Sequence, residues 1–209
     1  MSKFLGPIHH WLYNKIQLQQ EIIDDICELG EDYGLSLKQE CDDRYGVFEN
    51  KPLEEAIDSG NIHGWLQERV SQVEYKYAYC ITRLLDRNPE EKERLLWLHR
   101  RKGNNLAVTL KEYLLDAQGI FQAVTDHLLD GMPCDHANRT VSQSGQEVVW
   151  SRESCVHKPY WEAVGADINI YYELRGAWLD GLVSELGYCF ERLDDHTCRI
   201  REAILSEHI

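Results

Sequence analysis

Two Cys-x-His pairs flank a short segment whose sequence predicts a β-hairpin. The residues of these pairs that can bind a metal are Cys134, His136, Cys155 and His157. Between the pairs, Ser144-Gly145 supplies the small and flexible residues that a tight turn requires. If the segment folds back about this turn, Cys134 lies opposite Cys155, and in extended backbone each Cys points to the same side as its His. Two thiolates and two imidazoles are a common ligand set for tetrahedral zinc, so we expect these four residues to bind one zinc ion.

The number of ligands decides what such a zinc site can do. Four protein ligands make a closed, structural site, whereas three leave a position at which the metal can activate water for hydrolysis. The spacing differs from the familiar Cys-x2-4-Cys and His-x3-5-His patterns. A second interpretation therefore stays open, in which two buried thiols and two surface histidines lie at the foot of the hairpin without metal.

The same segment suggests chemistry that needs no metal. Cys155 lies close in sequence to Arg152 and Lys158, and cationic neighbours favour the reactive thiolate form of a cysteine. Cys155 is therefore a candidate nucleophile, and Glu173, on a predicted helix further along, is a second candidate catalytic residue.

Aromatic residues are concentrated in the same part of the chain. Trp150, Trp161 and Tyr172 are candidate contacts for a bound ligand, because small-molecule sites are mostly apolar with a few polar groups. Glu173 and Arg175, with Asp180 further along the same predicted helix, could supply those polar groups. The alternative is that these rings only pack in a core.

Bulk composition limits the classes of partner. The chain has 209 residues and a net charge of −14, which argues against nucleic acid and against anionic membrane surfaces as partners. We see no apolar run of about 20 residues that could span a membrane and no signal peptide at the start of the sequence. We therefore expect a cytoplasmic protein, in which most of the seven cysteines are reduced.

Hydrophobic periodicity predicts helices over the first two thirds of the chain. One helix begins after Gly6-Pro7 and ends near Gly30, a short one follows Pro52, and a long one contains residues 66–84. A further helical region could extend over 89–130 with a weak point at 103–105, and the sequence leaves open whether it is one bent helix or two. The segment 31–50 is less regular.

The pattern changes after Gly131. Residues 140–142 and 147–151 are predicted strands, 166–186 a helix, and 188–201 a second hairpin. The expected fold is mainly α, with a helical bundle over 1–131 and a small α+β domain over 132–209 packed on it.

The last sixty or so residues resemble a known kind of domain. A strand ends in Cys155, Gly165 precedes an amphipathic helix, and a closing hairpin contains Asp195-His196-Thr197-Cys198. This order is similar to the 4-vinyl reductase domain and to L-2-amino-thiazoline-4-carboxylate hydrolase-like proteins. The resemblance implies a small-molecule-binding or hydrolytic α+β domain, with metal bound near the cysteines in some members.

Three hypotheses about function follow from these observations. The first is a small-molecule-binding protein or hydrolase-like enzyme with a zinc site formed by the two Cys-x-His pairs. The second is a metal-free enzyme that uses Cys155. The third is a non-catalytic interaction protein that forms a homodimer through aromatic helical faces.

Overall fold

The computed structural model describes residues 5–113 and 116–203, which form α-helices and one small antiparallel sheet. A 3-10 turn, Pro133–Asp135, precedes the first strand. In chain order the other elements are α1 (Pro7–Glu31), α2 (Leu37–Tyr45), α3 (Leu53–Ala56), α4 (Ile62–Arg87), α5 (Glu91–Leu110), α6 (Ala117–His127), β1 (Asn138–Gln143), β2 (Glu147–Arg152), α7 (Lys158–Ala163), α8 (Ile168–Ser184), β3 (Tyr188–Arg192) and β4 (Thr197–Glu202). The predicted fold class, mainly α with a small α+β part, is confirmed.

The chain forms two compact units, and each is assembled from three separate ranges. The first unit contains Met1–Lys92, Asp126–Asp135 and Val156–Ile168. The second contains Glu93–Thr125, His136–Cys155 and Asn169–Ile209. Both units therefore take residues from each side of position 131, where the sequence predicts a domain boundary.

The first unit is built on the pairing of α1 with α4. Ile16, Ile23 and Ile26 of α1 and Val73 and Leu84 of α4 are at most 1% exposed, as the helical periodicity of these positions predicts. The predicted start of α1 at Gly6-Pro7 is confirmed, because Pro occupies its first turn.

The shorter helices α2 and α7 also pack on α4. Helix α2 lies where the sequence predicted a less regular segment, and that expectation was wrong. Only Leu37 and Cys41 of α2 are buried, so two apolar residues four positions apart form the buried face of a helix that is otherwise polar.

The second unit contains the sheet, in the order β1-β2-β4-β3. Both predicted hairpins are present, with β1 paired to β2 and β3 paired to β4. The Ser144 hydroxyl closes the first turn by accepting a hydrogen bond from the Glu147 backbone N–H at 3.0 Å. One face of the sheet is apolar, and Trp150 packs on it between the rings of Phe121 and Phe190.

Helices α5 and α8 of the second unit approach closely through two glycines. A Cβ at Gly103 would collide with the Trp178 carbonyl oxygen, and one at Gly181 would collide with the Arg100 carbonyl oxygen. The expected weakening at 103–105 is wrong for this reason. The glycine permits contact between helices, and α5 continues through it to Leu110.

No helix within residues 5–113 and 116–203 is both long enough and apolar enough to cross a lipid bilayer.

Candidate functional site

One end of the apolar face of the sheet becomes polar. Trp150 of β2 pairs with Cys198 of β4, which pairs in turn with Arg192 of β3. Directly paired residues lie on the same face, as do residues two apart on one strand, so Arg152 belongs to this face as well. The guanidinium groups of Arg152 and Arg192 and the thiol of Cys198 therefore lie on the same face as the buried Trp150, at the end of the sheet.

Tyr172 of α8 is the centre of this polar end. The guanidinium carbon of Arg152 lies 3.9 Å from the centroid of the Tyr172 ring, and that of Arg192 lies 5.8 Å from it. The Arg192 side chain also donates a hydrogen bond of 3.0 Å to the Tyr172 carbonyl oxygen. Stacking on the ring and hydrogen bonding to the backbone hold both cations beside the same residue. We call Cys155, Tyr172, Arg152, Arg192 and Cys198 the Tyr172 site.

The thiol of Cys155 is held by the phenol of this tyrosine. The Tyr172 hydroxyl donates a hydrogen bond of 3.0 Å to the Cys155 Sγ. Burial raises the pKa of Tyr172, and the hydrogen bond with Cys155 raises it further, so the phenol keeps its proton at neutral pH. The protonated phenol is therefore a hydrogen-bond donor that holds the Cys155 sulfur in place.

The backbone that leads to Cys155 is fixed by short contacts. The carbonyl oxygen of Ala137 accepts hydrogen bonds from the Glu153 and Ser154 N–H groups, at 2.8 and 3.3 Å. These bonds extend the β1–β2 pairing past the last strand residues. The thiol is therefore positioned by the end of a hairpin on one side and by α8 on the other.

The Tyr172 site is locally positive in an acidic chain. Within residues 5–113 and 116–203, neither Arg152 nor Arg192 forms an ion pair with a carboxylate. Burial raises the pKa of the Cys198 thiol, while the charges of Arg175, Arg192 and Arg152 oppose that increase. The guanidinium groups of Arg152 and Arg192, which pair with none of the described carboxylates, lie beside two thiols and are suited to bind an anion.

A half-open groove lies beside Tyr172, between α5 and α8. It has a volume of about 540 Å³, and its wall includes Trp97, Arg100, Glu173, Asp180 and Phe190. The Trp97 side chain is 59% exposed. Arg100 pairs with Asp180 at 3.2 Å. The groove thus offers an exposed aromatic ring and both signs of charge next to the Tyr172 site. It contains two of the three predicted polar groups, Glu173 and Asp180, and Arg175 is not among the residues of its wall.

A different arrangement of charges is buried in the first unit. The Nδ1 of His157 lies 3.0 and 3.1 Å from the two carboxylate oxygens of Glu74, and its Nε2 lies 3.4 Å from an oxygen of Asp130. Burial lowers the pKa of His157, but the charges and hydrogen bonds of Glu74 and Asp130 outweigh it and raise the pKa from 6.5 to about 9. The imidazole is therefore protonated at neutral pH.

No protein family, no curated protein and no solved structure matches this chain. The assignment of a function therefore rests on the geometry of the chain itself.

The four predicted zinc ligands are divided between the two units. Cys134 and His157 belong to the first unit, and His136 and Cys155 belong to the second. The predicted extended backbone is absent at both pairs: a 3-10 turn contains Cys134, His136 has a φ of 47°, and His157 begins α7 in a helical conformation. The first departure has a local cause, since the Asp135 carboxylate accepts a hydrogen bond from the Met132 N–H at 2.8 Å and closes the turn.

The zinc site itself stays a prediction. Among the residues that the structure describes, no group of three or more His, Cys, Asp or Glu side chains is arranged to hold a metal ion. Both ring nitrogens of His157 face carboxylates. To bind zinc, this histidine would have to give up one of those interactions.

The three predicted ligand-contacting aromatic residues have different positions. Trp150 is 4% exposed and Trp161 is 0% exposed, so both side chains fill cores. Tyr172 lines the groove. Sequence analysis missed Arg192 and Cys198 as members of the site, and the signal that could have indicated them is the alternation of residues in the second hairpin.

Proposed function

We propose that the protein binds a small anionic molecule at the Tyr172 site and uses Cys155 as a nucleophile on it. The observation that carries this proposal is the hydrogen bond from the Tyr172 hydroxyl to the Cys155 Sγ, with the Arg152 guanidinium stacked on the same ring. The Cys155 thiol, the Tyr172 hydroxyl that donates to it and the Arg152 guanidinium lie together. A nearby donor and a nearby cation are what an activated cysteine requires. The proposal follows the metal-free hypothesis, and it keeps the hydrolase-like chemistry that the resemblance implies.

The residues of the site would have separate roles. Arg152 and Arg192 bind the anionic group of the ligand, and the thiolate of Cys155 adds to a carbonyl carbon that this anchoring brings near it. The carbonyl re-forms as the leaving group departs with a proton, and water then hydrolyses the resulting thioester and releases the thiol. Tyr172 keeps the sulfur in place by its hydrogen bond. Glu173, which lines the adjacent groove, remains the candidate for proton transfer. All seven cysteines are free thiols, and we place this activity in a reducing cytoplasmic environment.

Alkylation by two reagents of different charge tests this proposal. Iodoacetate and iodoacetamide both react with thiolates, but only iodoacetate is an anion. We expect Cys155 to prefer iodoacetate over iodoacetamide by about threefold to fivefold relative to Cys134, since one favourable charge contact adds about 0.5 to 1 kcal/mol. The rates are measured for each cysteine by mass spectrometry of the native protein.

Cys134 is a suitable internal control because it is exposed. Arg152→Gln should reduce the preference of Cys155 for iodoacetate and leave Cys134 unchanged. Tyr172→Phe should slow the reaction of Cys155 with both reagents. If Cys155 shows the same reagent ratio as Cys134, and Arg152→Gln does not change it, the site does not bind anions and the proposal fails.

A further inference from the structure

Three cysteine side chains meet inside the first unit. The Cys41 Sγ lies 3.1 Å from the Cys80 Sγ, and the Cys27 Sγ lies 3.6 Å from it. These residues come from α2, α4 and α1 respectively, and each is at most 6% exposed. We call Cys27, Cys41 and Cys80 the thiol cluster. Its members are far apart in the sequence, so spacing alone does not indicate it.

A polar cavity lies beside two of the three cysteines. The cavity has a volume of about 250 Å³, and its wall includes Cys27, Cys41, Lys38 and Lys76. Cys41 is 1% exposed, Cys27 is 6% exposed and Cys80 is 0% exposed. A small reagent in the cavity therefore lies next to Cys27 and Cys41, and the Cys80 sulfur is within contact distance of both of their sulfurs.

We propose that the thiol cluster is a site of reversible oxidation, at which a hydroperoxide converts Cys41 and Cys80 to a disulfide. The Cys41 sulfur attacks the hydroperoxide, takes one oxygen to become a sulfenic acid, and releases water or an alcohol. The Cys80 thiol then attacks the Cys41 sulfur, the S–S bond forms, and the oxygen leaves as water with the Cys80 proton. In total the two thiols lose two electrons and two protons, and the hydroperoxide is reduced.

The geometry favours this pair over the other. A disulfide requires an S–S distance of about 2.05 Å, so the Cys41 and Cys80 sulfurs need to approach by about 1 Å. Cys41 lines the cavity and Cys80 does not, so Cys41 is the thiol that meets the hydroperoxide and Cys80 is the thiol that then attacks the Cys41 sulfenic acid. Hydrogen bonds with Cys27 and Cys41, together with burial, raise the pKa of the Cys80 thiol. Cys27 can then attack Cys80 in the disulfide and release Cys41, so the bridge can move between two partners.

The bridge changes how α2 is held. In the reduced protein, Leu37 and Cys41 are the buried residues of this helix, and Lys76 of α4 pairs with Asp42 at 2.6 Å. A Cys41–Cys80 disulfide joins α2 to α4 covalently beside that ion pair. Oxidation therefore fixes the α2 helix, which forms one wall of the cavity.

Mass spectrometry of the oxidised native protein tests the proposal. The full chain is exposed to a modest excess of hydrogen peroxide, remaining thiols are blocked with N-ethylmaleimide, and peptides are analysed without reduction. We expect a linked peptide pair that contains Cys41 and Cys80, and a melting temperature higher by roughly 5 °C that dithiothreitol reverses. Cys41→Ser should abolish the bridge, while the matched variant Cys134→Ser, at an exposed cysteine, should retain it.

The variants also separate oxidation from misfolding. Cys27→Ser leaves Cys41 and Cys80 unchanged, so this variant should still form the Cys41–Cys80 bridge. It keeps the test decisive if Cys41→Ser does not fold. The proposal is overturned if peroxide modifies Cys134 and Cys155 while all three cluster residues are recovered as maleimide adducts. It is also overturned if the bridge forms only after denaturant is added.

Discussion

The imidazole of His157 lies between two carboxylates in a place that excludes water. His157 is 2% exposed and Glu74 is 1% exposed, so the cation and at least one anion have lost their hydration. Such an arrangement is stable only while each charge keeps its partner, because an unpaired buried charge is very unfavourable.

Removal of the imidazole should therefore be costly. We expect His157→Gln to lower the free energy of unfolding by about 3 to 5 kcal/mol, the usual result of breaking a buried ion pair from one side. Urea unfolding at neutral pH measures the change. The double variant with Glu74→Gln removes one orphaned carboxylate, so it should lose less stability than the sum of the two single variants; strict additivity would show that the two residues do not interact.

The raised pKa of His157 also predicts a dependence on pH. The folded protein holds this proton with a pKa of about 9, compared with 6.5 for an ordinary histidine. The resulting stabilisation, about 3 kcal/mol at most, is complete below pH 6.5 and is lost as the pH rises towards 9. The difference in unfolding free energy between the wild type and His157→Gln should decrease over this interval. A constant difference would contradict the raised pKa.

Metal analysis decides the prediction for Cys134, His136, Cys155 and His157. If they bind zinc, protein purified without chelators should contain one equivalent, and Cys134→Ser and Cys155→Ser should each lose at least tenfold in affinity. Competition with a chromophoric chelator measures that loss. If zinc is present but neither substitution affects its affinity, it binds elsewhere.

The close contact of α5 with α8 makes its own prediction. Gly103→Ala places a methyl group against the Trp178 carbonyl, and we expect a loss of about 3 kcal/mol in unfolding free energy despite the better helix propensity of Ala. Gly176→Ala on α8 is the matched control, because its Cβ would lie 3.7 Å from Phe190, an ordinary contact. Thermal unfolding should show Gly176→Ala to be neutral or slightly stabilising. Equal effects of both substitutions would contradict the close contact.

Local signals explain which helices and strands the sequence predicted correctly. The long helices α1 and α4 have strong 3.6-residue periodicity, and the hairpins have turn residues between alternating segments. Helix α2 was missed because few of its residues are apolar. The predicted interruption at 103–105 was wrong because Gly103 serves a contact with a distant helix. The chain instead leaves the helix after Leu110.

The sequence indicated Cys155 and Tyr172 as separate candidates, but it predicted an association only between residues that are neighbours in the chain. Cys155 and Arg152 are three positions apart, and their association was expected. Arg192 and Cys198 join them through the register of β3 and β4, which no short segment specifies. Both Cys-x-His pairs were assigned extended backbone, but the turn closed by Asp135 and the start of α7 override it.

The assembly of each unit from three ranges predicts how fragments behave. Residues 156–168 contain His157, which contacts the Glu74 carboxylate. They also contain Trp161, whose ring centroid lies 6.1 Å from that of Tyr77. A fragment of residues 1–135 lacks both contacts, so we expect it to unfold at a lower urea concentration than the intact chain. A peptide of residues 156–168 added to the fragment should recover part of the loss.

The same peptide with His157→Gln is the control, and it should recover less. If the fragment alone is as stable as the intact chain, residues 156–168 do not contribute to the first unit, and the predicted boundary at 131 describes the fold better.

The charge triplet of Glu74, Asp130 and His157 also restricts how this protein can diverge. A lineage that replaces the histidine by a neutral residue leaves the buried Glu74 carboxylate and the half-buried Asp130 carboxylate without this cation, unless a carboxylate is replaced as well. Natural variants should therefore exchange these positions jointly, and a chain with an aliphatic residue at 157 should carry a neutral residue at 74. Positions 74, 130 and 157 would then vary together among related sequences, although they are far apart in the chain.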